Sequence, residues 1–203
     1  RIVLDSAGNV FSGTTTLRGG IGYTVSSSSS VVLTAMNLPG NLKVTTTGGT
    51  VTDTGVLIVE GTTEITATGL DVTLDGAGDN HNNFIGPVQI AADDVVLKDT
   101  GDITFGVSTV TGNFEVTAGG RVTQSTLSDQ QLTINGTGKT IEISGTDITL
   151  DNEANNFVSA VKITTTGSNV HLVDVGAIIL GESTVTGTYK VEAGGAVSQS
   201  GAL

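Results

Sequence analysis

Pairs of carboxylates are the residues of this chain whose type and spacing come nearest to catalytic chemistry. The pairs are Asp75 with Asp79, Asp93 with Asp94, and Asp99 with Asp102. A glycosidase needs two carboxylates held across a cleft at a defined separation. In a second copy of the same passage Ala177 replaces Asp102, and the cations Lys98 and Arg121 do not cluster with the acids. We therefore predict solvated turn carboxylates, with no catalytic residue and no enzyme.

Calcium binding is a second chemistry to consider. Residues 75–80 (DGAGDN) are similar to the Gly- and Asp-rich nonapeptide loops of calcium-binding β-rolls. Hard oxygen ligands on a tight turn are what calcium requires. The motif does not recur every nine residues, and the corresponding segment of the next repeat is only Asp151-Asn152-Glu153. No metal ligand is assigned, an Asx-type turn is predicted, and calcium at Asp75 and Asp79 stays open.

The remaining polar motifs point to structure rather than to a cofactor site. The two histidines, His81 and His171, have no second His nearby, and the chain has no cysteine, so thiolate sites and disulfides are excluded. Both histidines are predicted at the surface or at strand edges. The pairs at residues 82–83 and 155–156 (Asn-Asn) are predicted to cap turns, because an internal asparagine ladder needs Asn in successive coils. No cofactor-binding residue is identified.

The chain repeats itself at about 75 residues. Residues 101–125 (GDITFGVSTVTGNFEVTAGGRVTQS) return as residues 176–200 (GAIILGESTVTGTYKVEAGGAVSQS), with 15 of 25 positions identical. The passage at residues 74–84 returns at residues 150–157, and residues 4–11 are a third copy. Self-similarity at a fixed period is typical of stacked-repeat proteins. We predict a single rod, residues 1–203, with units at about 1–70, 71–146 and 147–203.

Composition predicts an all-β chain and disfavours several kinds of partner. Thr, Val, Ile and Gly are abundant, aromatic residues make up 3%, and no sustained helical periodicity is present. The net charge of −12, with eight Lys and Arg, disfavours nucleic acid and anionic membrane surfaces. No apolar run approaches the roughly 20 residues of a membrane helix, so no membrane insertion is predicted.

A β-solenoid explains the repeat better than a sandwich or barrel does. Solenoid strands pair with their equivalents one coil later, whereas hairpin-paired strands have no reason to recur in sequence. At about 19–25 residues per coil, a unit is three or four coils. The glycine pairs at residues 48–49, 119–120 and 194–195 are predicted to need φ > 0 or close backbone approach, and Phe11, Phe84 and Phe157 to fill a corner of the core. A loop is predicted at residues 26–30.

The passages at residues 150–164 (LDNEANNFVSAVKIT) and 183–203 (STVTGTYKVEAGGAVSQSGAL) resemble repeats of large bacterial surface proteins of the filamentous-haemagglutinin or autotransporter-like type. The resemblance covers about 71–203 well and 1–70 loosely. It implies a right-handed parallel β-helix, export by a partner-secretion or autotransporter-like route, and an adhesive or filament-forming role. The Asn-Pro-Asn motifs of that family's secretion domain are missing here, and fold transfers better than function.

The predicted function is a structural or adhesive segment, a stalk or adhesin fibre, without catalysis. We expect an extracellular or bacterial cell-surface location, associated with the outer membrane, and a fragment of a longer protein. Partners would be a host-cell, glycan or neighbouring-cell surface, with no nucleic acid. One alternative is a filament subunit that associates end to end or laterally, and another is a β-helix polysaccharide lyase or hydrolase.

Overall fold

Alternating apolar and polar residues direct this chain into short strands. The computed structural model describes residues 1–125, 129–167 and 169–203, and in this part of the chain it contains strands and turns but no helix. The strand Phe114–Ala118 (FEVTA) buries every second side chain, as strand geometry requires. The predicted all-β fold is confirmed.

The strands, in chain order, are β1 (Ile2–Leu4), β2 (Thr14–Thr15), β3 (Tyr23–Ser27), β4 (Val31–Leu33), β5 (Met36–Leu38), β6 (Leu42–Thr46), β7 (Val51–Asp53), β8 (Leu57–Val59), β9 (Thr63–Ala67), β10 (Val72–Leu74), β11 (Asn83–Phe84), β12 (Val88–Ala92), β13 (Val95–Asp99), β14 (Ile103–Phe105), β15 (Ser108–Val110), β16 (Phe114–Ala118), β17 (Val122–Gln124), β18 (Leu132–Ile134), β19 (Ile141–Gly145), β20 (Ile148–Leu150), β21 (Asn156–Phe157), β22 (Val161–Thr165), β23 (Val170–Asp174), β24 (Ile178–Leu180), β25 (Tyr189–Ala193) and β26 (Val197–Gln199).

All strand pairs are parallel and join neighbouring turns, and the partner of a strand is usually the third strand along the chain. The first face is β3-β6-β9-β12-β15-β18-β21 and the second is β4-β7-β10-β13-β16-β19-β22. The third face holds two ladders, β5-β8-β11 and β14-β17-β20-β23-β25, and β14 is joined to the start of β12 where Phe105 lies opposite Val88. At the ends of the rod β1 pairs with β3, β2 pairs with β4, and β24 lies between β22 and β26. Three strands therefore make one turn of a β-solenoid with about nine turns. The predicted solenoid is confirmed.

Turn length varies along the rod. In the register of the strands, 19 residues separate Tyr23 from its partner Leu42, whereas 27 separate Phe114 from Ile141. The extra residues lie in turns at the corners, so the strands stay in register. Eight steps of roughly 4.8 Å between nine turns make the rod about 40 Å long.

The core is a set of apolar ladders that run along the rod axis. On the second face one ladder consists of Val51, Val72, Val95, Phe114, Ile141 and Val161. All six side chains are at most 1% exposed. Burying each contributes about 1.5–3 kcal/mol, so every turn is stabilised mainly by its two neighbours. Phe84 and Phe157 are fully buried as predicted, and Phe11 packs against the core while partly exposed.

The glycine pairs are needed for close approach and not for an unusual backbone conformation. Gly48, Gly119 and Gly194 have no positive φ. A Cβ atom on each would collide with a main-chain carbonyl oxygen of the preceding turn, that of Ser28, Thr100 or Val175 respectively. Of the two reasons predicted for these glycines, close approach is confirmed and φ > 0 is wrong.

Candidate functional site

Four of the six carboxylates considered for catalysis, those of Asp93, Asp94, Asp99 and Asp102, bind the main chain or a hydroxyl of a neighbouring turn. Asp94 Oδ1 accepts a hydrogen bond from Asn113 N at 2.6 Å, and Asp93 Oδ1 accepts one from the Thr111 hydroxyl at 2.8 Å. Asp102 lies on the exposed side of its turn, while its sequence neighbour Asp99 is fully buried. The members of this last pair therefore face opposite environments.

Side-chain oxygens at the strand starts form what we call the turn ladder. In each rung an Asp or Asn directly before a strand accepts the N–H of the residue directly before the paired strand one turn on. The rungs run from Asn41 to Thr62, Asp71 to Asp94, Asp94 to Asn113, Asn113 to Thr140, Asp102 to Arg121, Asp147 to Asn169 and Asn169 to Thr188, at 2.6–3.3 Å. These donors would otherwise meet only water at a corner. The ladder therefore stitches successive turns together outside the core.

Three rungs of the turn ladder depend on a glycine. A Cβ atom on Gly61, Gly112 or Gly120 would collide with the side-chain oxygen of Asn41, Asp94 or Asp102 respectively. Each glycine directly precedes the residue whose N–H is bound. The sequence signal is an Asx residue followed, 18 to 20 positions later, by a glycine that stands two residues before a strand, and this signal was not used in the prediction.

Asn82 is the centre of a buried polar cluster that joins two turns. Its side chain has no exposed surface. The Oδ1 atom accepts a hydrogen bond from Leu57 N at 2.8 Å, and the Nδ2 atom donates to Asp53 Oδ2 at 2.7 Å. Asp53 also accepts N–H bonds from Asp75 and Gly76, at 3.2–3.3 Å. Hydrogen bonds of this residue pair therefore reach partners in two turns.

The cluster recurs at Asn155 with an amide in place of the carboxylate. Asn155 Oδ1 accepts from Leu132 N at 2.8 Å and from Gln124 Nε2 at 2.7 Å, while Asn155 Nδ2 donates to Gln124 Oε1 at 2.8 Å. The same Nδ2 atom donates to Leu150 O at 3.1 Å, which is the turn cap predicted for this residue. The contact with the preceding turn was not predicted, because an internal asparagine ladder was expected to need Asn in every coil.

A second buried acceptor lies beside each phenylalanine of the repeat. Asp99 Oδ2 accepts from Phe84 N at 2.6 Å, and Asp174 Oδ2 accepts from Phe157 N at 2.7 Å. In the first copy Ser29 Oγ takes this role and accepts from Phe11 N at 3.1 Å. The serine run is therefore not simply a loop, because β3 continues through Ser27 before the chain turns. Serine hydroxyls replace the carboxylate there.

Burial raises the pKa of the Asp53 carboxyl above its ordinary value, although hydrogen bonds from Asn82, Gly76 and Asp75 oppose part of the rise. Burial also raises the pKa of Asp99, and hydrogen bonds from the N–H groups of Phe84 and Gly101 oppose part of the rise. Both carboxyls are at most 9% exposed. The rise in both pKa values therefore comes from burial in the fold and not from a catalytic partner.

The histidines and most ion pairs lie on the outer faces. His171 is on β23, with Nε2 2.8 Å from Glu192 Oε1, and His81 lies in a partly exposed turn. A hydrogen bond from Lys190, with His171 as a second partner, lowers the pKa of Glu192. Lys43 pairs with Glu64, and Lys162 pairs with Glu142 at 3.4 Å, in each case across neighbouring turns.

The segment considered for calcium forms a tight turn. Ala77 and Asn80 exchange main-chain hydrogen bonds, and Gly76 and Gly78 adopt positive φ of 80° and 61°. Asp79 is exposed at this turn. Among the residues that the structure describes, no three His, Cys, Asp or Glu side chains gather in a way that could hold a metal.

Surface depressions of about 340–510 Å³ lie on the outside of the rod. One of them brings together Asp94, Glu115 and Glu142 on the second face and has no Lys or Arg in its lining. Within the described part of the chain, no helix has the length and apolar character that crossing a bilayer requires.

Comparison with known families identifies the repeats. Residues 20–91, 92–164 and 167–203 each match the family model described as repeats of unknown function (DUF5649). Comparison with curated proteins and with solved structures gave no significant match. The family model spans nearly all of the chain, and its three matches follow the period seen in the sequence. The chain belongs to the DUF5649 family of repeats.

Proposed function

We propose that this chain is a rod segment, a stalk or adhesin fibre, of a large secreted or cell-surface bacterial protein, and that it has no catalytic activity. The observation that carries the proposal is the turn ladder. Carboxylates such as Asp94 and Asp102, which could otherwise act on a substrate, are used to bind the main chain of the next turn. Such a use favours stiffness over chemistry.

The outward positions support the same function. Glu115 and Lys190 stand at equivalent positions of two repeats, and both side chains are exposed. A charge reversal at a repeated position is compatible with a spacer surface and not with one conserved pocket. The resemblance to filamentous-haemagglutinin-type repeats adds export and adhesion to this proposal. The partners would be a host-cell, glycan or neighbouring-cell surface, bound through many weak contacts along the rod.

Immunogold electron microscopy of the producing cells, with antibody raised against this chain, tests the location. Label along fibres or at the cell envelope is the expected result. Label confined to the cytoplasm would overturn both export and adhesion. Cells from which the gene has been deleted serve as the control for antibody specificity.

Two assays on the purified chain test the other classes of function. Incubation with neutral and acidic polysaccharides should release no oligosaccharide, and depolymerisation would replace the rod proposal with a β-helix lyase or hydrolase. Analytical ultracentrifugation over a wide concentration range should show whether the chain associates with itself. Assembly into long filaments would favour a filament subunit over a stalk.

A further inference from the structure

The apolar ladders of the core do not by themselves fix which residues lie opposite each other. Side chains alternate with a period of two, so a slip of two residues leaves the same side chains inward. On the third face, Asn83 lies opposite Ile58. A two-residue slip would place Ile85 there instead, and Ile85 is an apolar residue that is 60% exposed in the native pairing. Polar contacts between turns, the turn ladder among them, depend on the register in a way that the alternation does not.

The buried Asn82 cluster is sensitive to such a slip. Both ends of its amide are bound to the preceding turn, Oδ1 to Leu57 N and Nδ2 to Asp53 Oδ2. Moving β11 by two residues along β8 would separate the amide from both partners while leaving it in the apolar core. A buried polar group without a partner is strongly disfavoured, so the cluster penalises the slipped state in addition to any change in core packing.

The same arrangement stands once in the next repeat with a different partner. Asn155 binds Leu132 N and the Gln124 amide, where Asn82 binds Leu57 N and the Asp53 carboxylate. The shared property is a buried amide that bridges two turns, and the charge of its partner is not shared. We infer that Asn82 and Asn155 are register pins, each of which fixes the strand pairing of the solenoid once per repeat. The inference does not rest on the proposed function.

Engineered disulfides in the full chain measure the register directly, because the natural chain has no cysteine. A cysteine pair at positions 58 and 83 reports the native pairing, and a pair at positions 58 and 85 reports the slipped one. Directly opposed positions on neighbouring strands are close enough to form a disulfide. The ratio of slipped to native disulfide under mild oxidation is the readout.

Asn82→Leu should raise that ratio about tenfold or more, the factor expected for loss of a buried hydrogen-bonded group. Val59→Ala is the control, since it removes core contacts from the same strand pair without touching the pin. A purely stabilising role for Asn82 predicts the same ratio in both variants, and that result would overturn the inference. Asp53→Gln, which copies Gln124, should leave the ratio at the parental value.

A second location covers the case in which Asn82→Leu fails to fold. Asn155→Leu is then tested with the native pair at positions 133 and 156, which lie opposite each other, and the slipped pair at 133 and 158. Asp53→Leu, which keeps Asn82 but removes its partner, gives a third measurement. The test uses those of these variants that retain their β-sheet signal. In them, a slipped-to-native disulfide ratio equal to that of the parent contradicts a register pin, and a raised ratio supports one.

Discussion

Glu115 and Lys190 occupy the same position of successive repeats, yet they lie on different faces of the rod. Glu115 is on β16 and faces Glu142 across the second face, whereas Lys190 is on β25 and faces His171 across the third. Equivalent strands of the two repeats, such as β13 and β23, are ten strands apart, while three strands make a turn. One repeat is therefore three and a third turns, and a surface feature that it carries moves one face further with each repeat.

Spin labels test this rotation. Cysteines at positions 115 and 162 lie two turns apart on the second face, and labels there should show the dipolar broadening of a separation of roughly 10 Å. Labels at positions 115 and 190 are separated by an axial rise of roughly 16 Å and by the width of the rod as well. Double electron–electron resonance should therefore give a distance clearly above the axial rise. A distance equal to that rise would place both residues on one face.

On the second face two glutamates lie opposite each other, whereas in the first repeat a lysine stands in place of one of them. Glu115 lies directly opposite Glu142. Residues 40–44 (GNLKV) are a weaker copy of residues 112–116 (GNFEV), and there Lys43, at the position of Glu115, pairs with Glu64. Glu115→Lys should stabilise the fold by about 0.2–1 kcal/mol, because it replaces a like-charge pair by an ion pair across neighbouring turns. Chemical denaturation at low salt measures the gain, which should shrink at high salt.

Lys43→Glu provides the matched reverse change, since it creates at Glu64 the like-charge contact that Glu115 makes at Glu142. It should destabilise the chain by a similar amount. Equal stabilities of parent, Glu115→Lys and Lys43→Glu would show that these outer contacts are fully screened by solvent.

The sequence is sufficient to predict the solenoid because its two periods are both visible. Alternation within short runs such as residues 114–118 indicates strands, and recurrence after about 75 residues indicates stacking of equivalent strands. The inward positions of Phe84 and Phe157 and the outward positions of Glu115 and Lys190 follow from that alternation. These features depend on local pattern, which a single chain shows directly.

The polar contacts between turns could not be predicted in the same way. Which residue faces Asn82 depends on the length of the turns between β7 and β11, and that length varies from turn to turn. Asp53 and Gln124 differ in charge and so do not appear as one position until the structure places both against an asparagine. In the sequence Asp94 and Asp102 look like surface acids. Their carboxylate oxygens accept hydrogen bonds from main-chain N–H groups, and a main-chain group carries no sequence signal.

The buried carboxyl of Asp53 makes stability depend on pH. Its pKa is raised in the folded state, so the folded chain binds a proton more readily than the unfolded chain does. This contribution is fully present below the unfolded pKa of about 3.9 and is lost as the pH rises through the folded pKa. Relative to Asp53→Gln, the parent should therefore lose stability from acid pH toward neutrality.

The stability difference between the parent and Asp53→Gln, measured by denaturant titration at a series of pH values, isolates this carboxyl from the other acids of the chain. Gln124 shows that an amide fits against the same asparagine. A difference that stays constant between about pH 3.9 and neutrality would contradict the raised pKa.

Gly120 tests the turn ladder, and the next repeat provides its control. A Cβ atom on Gly120 would collide with Asp102 Oδ1, the atom that binds Arg121 N at 2.8 Å. At the equivalent Gly195 the acid is replaced by Ala177, whose nearest atom would lie 3.0 Å from the added Cβ. Gly120→Ala should cost about 1–3 kcal/mol of unfolding free energy, because the rung must break or the backbone must move.

Gly195→Ala should cost less, and Gly13→Ala, with no atom within 4 Å of its Cβ, should change stability by at most about 0.5 kcal/mol. Denaturant unfolding of the three variants ranks these costs. Equal losses for Gly120→Ala and Gly195→Ala would mean that the side-chain rung contributes nothing beyond the main-chain contact that both glycines share.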